Sequence, residues 1–309
     1  MKRLLAILFC IQLINLFSCK PEMEEREIRQ IGVTFCRKPA KFVSKQGFNP
    51  NKSAFSTSDA IYKGLVLVSM PNFNGDTSIK KWQHPSWSKF GWLGPITTDK
   101  DGNVYAAPIP KINTLDHKTS EINKVLKVST ETAELTLLTQ LPVPDSSSQV
   151  VAYGVLGVYY DCHGDKLYVS SVSGSTRDKE NGALYVLDIK DGKILDKIEG
   201  IDAMGLCVGG ITGEKKLYFG SARNSYVNSI LLDKAGYFKG KVQPEFTLDL
   251  LGPRGDDKAR RIRFDQNGNM NIQGIEFNYS LSAQSEKPET NYLFSYNSSK
   301  KIWENKKVN

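Results

Sequence analysis

The sequence predicts an all-β protein, a single β-propeller of four-stranded blades, with five repeats readable and six possible. Three observations carry this. A turn phrase, Asp99-Lys-Asp-Gly102-Asn103, returns as Asp265-Gln-Asn-Gly268-Asn269, with looser copies at Asp161-Cys-His-Gly164-Asp165 and Gly213-Glu-Lys-Lys216. Short runs of β-branched and aromatic residues with period-2 patterning flank each copy. No long segment with a 3.6-residue apolar period follows the first eighteen residues. Repeats of about fifty residues holding four short strands cannot bury both of their faces alone, so they pack on one another around an axis.

The elements follow in chain order. Lys2-Arg3, the apolar run Leu4 to Phe17 and the ending Leu16-Phe17-Ser18-Cys19 describe a secretory signal over residues 1–18, too short to span a bilayer. The ending resembles the bacterial lipobox, which implies a lipid on Cys19 and attachment to a membrane through it. Lys20 follows that cysteine, so the expected place is the cell envelope, at the outer membrane on its periplasmic or surface side. Residues 19–30, with the acidic run Glu22 to Glu27, read as a tether, and residues 31–309 as the propeller. Ile31–Cys36 and Lys41–Ser44 read as extra strands that close the ring or complete a sixth blade.

Within the repeats, Pro95–Thr98, Val155–Tyr160 and Arg261–Phe264 read as innermost strands. Lys63–Ser69 is the strand remnant of a fifth repeat. Lys124–Val128 with Glu134–Leu138, and Ala183–Asp188 with Lys193–Ile198, read as outer pairs. Asp99-x-Asp101-Gly102-Asn103 has the oxygen spacing of a calcium loop, but a turn chemistry repeated in every blade fits a hairpin better, with Asp99 capping it.

Composition narrows the function. The formal charge of +8 falls to +6 once Lys2 and Arg3 leave with the signal. No basic stripe accompanies it, which argues against nucleic acid as a partner. Of five cysteines, Cys10 and Cys19 belong to the leader, and Cys36, Cys162 and Cys207 remain. That odd set without CxxC spacing allows one bridge, its pairing open, and indicates no zinc site.

Gly94-Pro-Ile-Thr-Thr-Asp-Lys-Asp-Gly-Asn-Val-Tyr105 and Gly157-Val-Tyr-Tyr-Asp-Cys-His-Gly-Asp-Lys-Leu-Tyr-Val-Ser170 resemble the blade signatures of NHL-repeat proteins and of the SMP-30/gluconolactonase group. The resemblance covers most of residues 54–305 through scaffold positions and implies fold more than function. For that group it also implies a divalent metal in the channel, held by a glutamate, asparagines and an aspartate. The matching positions here are Leu93, Tyr153-Gly154 and Ser171, poor company for a hard cation.

In a four-stranded blade, the short Asp-x-x-Gly-Asn turns lie on one face and long, dissimilar loops on the other. The long loops cover His84–Trp92, Pro108–Asn123, Pro142–Gly154, Ser173–Gly182, Ser221–Tyr226, Gly252–Arg261 and Tyr279–Asn291. Such loops on a rigid scaffold are where binding is usually built. They carry Trp87, Trp92, Tyr226, Arg177, Arg223, Arg254, Asp256 and Arg260. Aromatic platforms with guanidinium forks suit a carbohydrate or a small anion. The structural alternative is that Trp87 and Trp92 fill a seam between blades and that Arg177–Asp178 and Arg254–Asp256 are loop ion pairs.

No Gly-x-Ser-x-Gly elbow accompanies His84, His117 or His163, so nucleophilic catalysis has little support. The expectation is a lipid-anchored envelope protein that binds a carbohydrate, a small anion or another envelope protein, with no cofactor. The alternative is a lactonase-like hydrolase dependent on calcium or another divalent metal, drawing on Asp202, Asp256 and Glu276. A third possibility is a scaffold within a larger envelope complex.

Overall fold

The computed structural model describes residues 36–59, 61–70, 79–110, 121–143, 152–210, 213–279 and 289–308. The signal, Cys19, the tether, Ile31–Phe35 and His117 lie outside them. Five antiparallel sheets form a five-bladed β-propeller, each built from consecutive hairpins. The first holds β1 (Ser53–Ser56), β2 (Val66–Ser69) and β3 (Lys81–Trp82); among the described residues it has three strands. The second holds β4 (Leu93–Thr98), β5 (Val104–Pro108), β6 (Lys124–Val128) and β7 (Leu135–Gln140). The third holds β8 (Val155–Asp161), β9 (Lys166–Ser171), β10 (Ala183–Asp188) and β11 (Ile194–Glu199). The fourth holds β12 (Ala203–Gly209), β13 (Lys216–Ser221), β14 (Tyr226–Leu232) and β15 (Phe238–Thr247). The fifth holds β16 (Lys258–Phe264), β17 (Met270–Ile275), β18 (Thr290–Asn297) and β19 (Ile302–Val308).

Strand alternation sorts side chains between neighbouring blades rather than between core and water. In β5, Val104 and Ala106 join the first-to-second blade cluster, whereas Tyr105 and Ala107 join the second-to-third. In β9, Leu167 and Val169 face the second blade and Tyr168 the fourth. In β13, Leu217 and Phe219 face the third blade and Tyr218 the fifth. Apart from buried Leu135, the outer strands β7 and β11 mix exposed and half-buried positions and carry lysine, threonine and glutamate, which discourages edge pairing.

The hairpin reading of the turn phrase holds. Asp99 is fully buried; its Oδ1 accepts the backbone N–H of Asp101 (2.9 Å) and Asn103 (2.8 Å). Its Oδ2 accepts from Asn103 Nδ2 and Tyr105 OH, both at 2.9 Å. Gly102 sits at φ +87°, where a Cβ would lie 2.7 Å from the Pro39 carbonyl oxygen. Asp265 repeats the same bonds to Asn267 and Asn269.

Two expectations change. Lys41–Lys45 is a one-turn helix, α1, not a strand, because adjacent Phe42 and Val43 are both buried, which an extended chain with one inner face does not achieve. Phe42 packs on Phe55, Trp82 and Trp87 at centroid distances of 5.8–5.9 Å. The segment therefore adds no sixth blade; it crosses the short-turn face. Cys36 is bonded to Cys162 in the β8–β9 turn, Lys38 N–H donates to Asp99 O (3.3 Å), and Phe42 N–H to Thr130 O (3.1 Å). The pairing that the sequence left open is thus Cys36–Cys162, with Cys207 free and buried.

Two consequences are measurable. The bridge closes a loop of 126 residues, so replacing both Cys36 and Cys162 with serine lowers unfolding free energy by about 2–5 kcal/mol in urea titration. The second concerns acid. Burial raises the Asp265 pKa, but bonds from Asn269, Asn267 and Gly268 outweigh it and hold the carboxyl below its ordinary value; Lys100 and Tyr160 do the same for Asp165. A depressed folded pKa gives stability present at neutral pH and lost as pH falls through the carboxylate range. The urea midpoint should fall below about pH 5, and the fall should shrink in Asp265→Asn and Asp165→Asn.

Candidate functional site

The long-loop end of the third, fourth and fifth blades converges on one buried carboxylate. Asp202 immediately precedes the innermost strand β12 and is 1% exposed. Its Oδ1 accepts the Gly182 N–H (2.9 Å) and the Ser175 hydroxyl; its Oδ2 accepts Arg223 Nη1 (2.8 Å) and the Tyr279 hydroxyl. Its own N–H donates to Glu180 Oε1 at 2.9 Å. Arg223 also donates to the carbonyls of Thr176 (3.2 Å), Lys179 (3.3 Å) and Arg177 (2.7 Å), and its guanidinium lies 5.3 Å from the Tyr279 ring centre. Burial opposes the Arg223 charge, but Asp202, Tyr279 and Glu180 outweigh it and raise its pKa. Burial, then the hydrogen bond to Asp202 and after it the Asp202 charge, raises the Tyr279 phenol.

Beside this staple stands an aromatic rim. Tyr153 packs edge-on against Phe277 (5.1 Å, 62°), and Phe277 against Tyr279 (5.4 Å, 74°). They rest on buried Val172, Met204 and Ala222, with Leu156 beside them. Each of these residues lies at the long-loop end of its strand, so together they form the mouth of the central channel: half-buried rings on an apolar floor, next to a fixed guanidinium.

The residues singled out from sequence divide sharply. Asp202 and Arg223 meet directly, and Arg177, exposed itself, contributes its carbonyl. Trp87 belongs to the core, not to a ligand face: it is fully buried against Phe42, Phe55 and Trp82, and its Nε1 donates to Ala133 O at 2.7 Å. Arg254 is likewise enclosed, bonded to Asp257, Thr290 and the Gly274 carbonyl, while Tyr292 OH donates to Asp257 Oδ2 at 2.7 Å. Its partner is thus Asp257 rather than Asp256. Asp256 is exposed, 3.7 Å from Lys258, and Arg260 is bonded to Glu289 at 2.6 Å on the surface. Trp92 lines a separate cavity of about 160 Å³ with Lys63, Phe90, Pro108, Ile109 and Glu121, at the seam of the first two blades. Tyr226 is exposed.

Sequence reasoning named Tyr153 only as a position ill suited to a metal ligand, and singled out none of Phe277, Tyr279 and Ser175. The available signal was Phe277-Asn-Tyr279 one residue beyond the end of β17, two aromatics at period 2 where a blade turns onto its long-loop face.

A divalent cation does not fit at Asp202. Both of its oxygens are saturated by donors, one of them a guanidinium at 2.8 Å that would repel the ion. Glu276 is exposed, and its negative field falls on Arg254. Among the described residues no three His, Cys, Asp or Glu side chains gather into a metal-holding group. Leu93 is core, and the Ser171 hydroxyl donates to Asn123 Oδ1 at 2.7 Å.

No known family profile matches the chain, and no curated protein matches it. Some solved structures are similar to it. A chain of a nidogen/laminin complex is 11% identical, with 83% of this chain and 92% of that chain covered and a TM-score of 0.46. A glucose dehydrogenase is 13% identical over 72% of each chain, with a TM-score of 0.39. A GH43 β-1,3-galactosidase solved with galactodeoxynojirimycin is 13% identical, covering 69% of this chain and 74% of that chain, with a TM-score of 0.42. At these values the likenesses carry no argument about this chain, whose fold rests on its own five sheets.

Proposed function

We propose that this protein is a lipid-anchored propeller of the cell envelope that binds a carbohydrate at the long-loop mouth of its channel. The observation that carries the reading is the rim of Tyr153, Phe277 and Tyr279 over a buried apolar floor. Sugar rings present apolar C–H faces that stack on aromatic rings, and the hydroxyl groups around them require fixed polar partners. The staple centred on Asp202 makes the mouth rigid before any ligand arrives, which lowers the ordering cost of binding. The exposed Arg177 biases the mouth towards saccharides that carry a negative charge. The Cys36–Cys162 bridge supports an oxidising compartment, in keeping with the leader and the lipobox ending at Cys19.

Two measurements test this. Titration of the purified protein with neutral and uronate-containing oligosaccharides should reveal a binder. Phe277→Ala and Tyr153→Ala should each weaken it about tenfold, the loss of roughly one aromatic contact, while Leu137→Ala on the outer edge of the second blade leaves it unchanged. Binding by neither saccharide class, or binding indifferent to both rim substitutions, refutes the carbohydrate reading. For the anchor, Cys19→Ala should move the protein from the membrane fraction to the soluble envelope fraction and abolish incorporation of labelled fatty acid. Membrane retention without label incorporation in the wild type refutes lipidation.

A further inference from the structure

Two-sided burial stops at the fifth blade. Past their first residue, the second strands β5, β9 and β13 are buried on both faces. In β17 the pattern alternates: Met270, Ile272 and Gly274 are buried, Asn271 is exposed, and Gln273 and Ile275 are half-buried. One face of this blade, with Ile262, Phe264, Met270, Ile272, Tyr292 and Phe294, packs on the fourth blade. Among the described residues no apolar cluster joins the fifth blade to the first, which comes next around the ring.

Strand register decides what the other face presents. Arg261 stands opposite Gln273, and Gln273 opposite Asn291; Arg263 stands opposite Asn271, and Asn271 opposite Leu293. These are two rows across three strands, with neighbours in a row about 5 Å apart and the rows about 7 Å apart. Arg261, Arg263, Asn271 and Asn291 are exposed. Among the described residues their side chains and that of Gln273 take part in no hydrogen bond or ion pair. The acids beside β18 are already taken: Glu289 is bonded to Arg260, and Glu304 to Lys300 and Lys306. The face also leads to the channel mouth. Asn271, Gln273 and Ile275 follow one another at a spacing of two along β17, and Phe277 of the aromatic rim comes next at the same spacing.

We propose that the open face of the fifth blade is a track for an acidic polysaccharide, held at the rim and running along β17 over Arg261 and Arg263. The proposal rests on the carbohydrate reading of the rim and adds the substrate class: a chain of uronate units rather than a single sugar. Guanidinium forks match carboxylates, and a carboxamide, which donates and accepts at once, matches hydroxyl groups. An anionic bilayer asks for cations alone, so the three carboxamides among the two arginines favour the glycan. The sheet fixes all five side chains at their base, which lowers the ordering cost of binding.

Isothermal titration of the purified protein with a galacturonate disaccharide, a galacturonate octasaccharide and neutral maltooctaose tests this. The acidic octasaccharide should bind about tenfold tighter than the disaccharide, the gain from one or two charge-assisted bonds, and tighter than maltooctaose. An Arg261→Gln/Arg263→Gln double variant should lose that advantage and keep disaccharide binding, whereas Phe277→Ala weakens both acidic ligands. Both arginines are exposed, so the double variant reads binding rather than folding. Lys197→Gln, on the outer edge of the third blade, should keep the advantage. Disaccharide binding to which chain length adds nothing, maltooctaose binding as tight as the acidic octasaccharide, or an advantage that survives in a double variant with a native melting transition overturns the track and leaves the rim reading standing. No binding by any of the three saccharides overturns both. Binding to phosphatidylglycerol vesicles that the double variant loses, with no octasaccharide advantage, assigns the face to a lipid surface and overturns the proposal.

Discussion

Everything in this protein depends on second strands buried on both faces. All of β5, and all but the first residue of β9 and of β13, are buried, yet each belongs to a sheet only four strands wide. Such a sheet in water would expose one apolar face, at a cost of about 25 cal/mol for each Å² of apolar surface. The second, third and fourth blades escape this by giving each neighbour one face. The order of the blades is therefore set by which residue parity fits which neighbour, as with Tyr168 on one side of β9 and Leu167 with Val169 on the other.

That constraint also explains what was legible in the sequence. Strand positions were readable because turns recur with the same side-chain chemistry: Asp99 and Asp265 bond their turns atom for atom alike. Strands such as Lys216–Ser221 read as short apolar runs bounded by turns, the mark of two-sided burial. The one-turn helix at Lys41–Lys45 was not readable, because five residues with two adjacent apolar side chains satisfy a strand pattern as well as a helical one. Only the cavity between Phe55, Trp82 and Trp87 decides between them.

The site was half legible for a related reason. Loop arginines and aspartates stand out by charge, but sequence does not say which of them neutralise one another. Arg254 and Asp257 lie three residues apart and close on each other; Arg223 and Asp202 are twenty-one apart and meet only because their loops share the channel mouth. The aromatic residues beside them were overlooked because a tyrosine or phenylalanine at the end of a strand is ordinary core material until its exposed edge is known.

The two pairs are one device used twice. An aspartate directly before an innermost strand, β12 or β16, receives an arginine from a loop and a tyrosine hydroxyl from a different segment. Breaking such a buried pair leaves an uncompensated charge worth about 3–5 kcal/mol, so both arginines act first as staples that hold loops in place. An arginine whose charge is satisfied inside the protein has little left for a ligand. By contrast, the Arg37 Nε is a buried donor that meets no acceptor among the described residues.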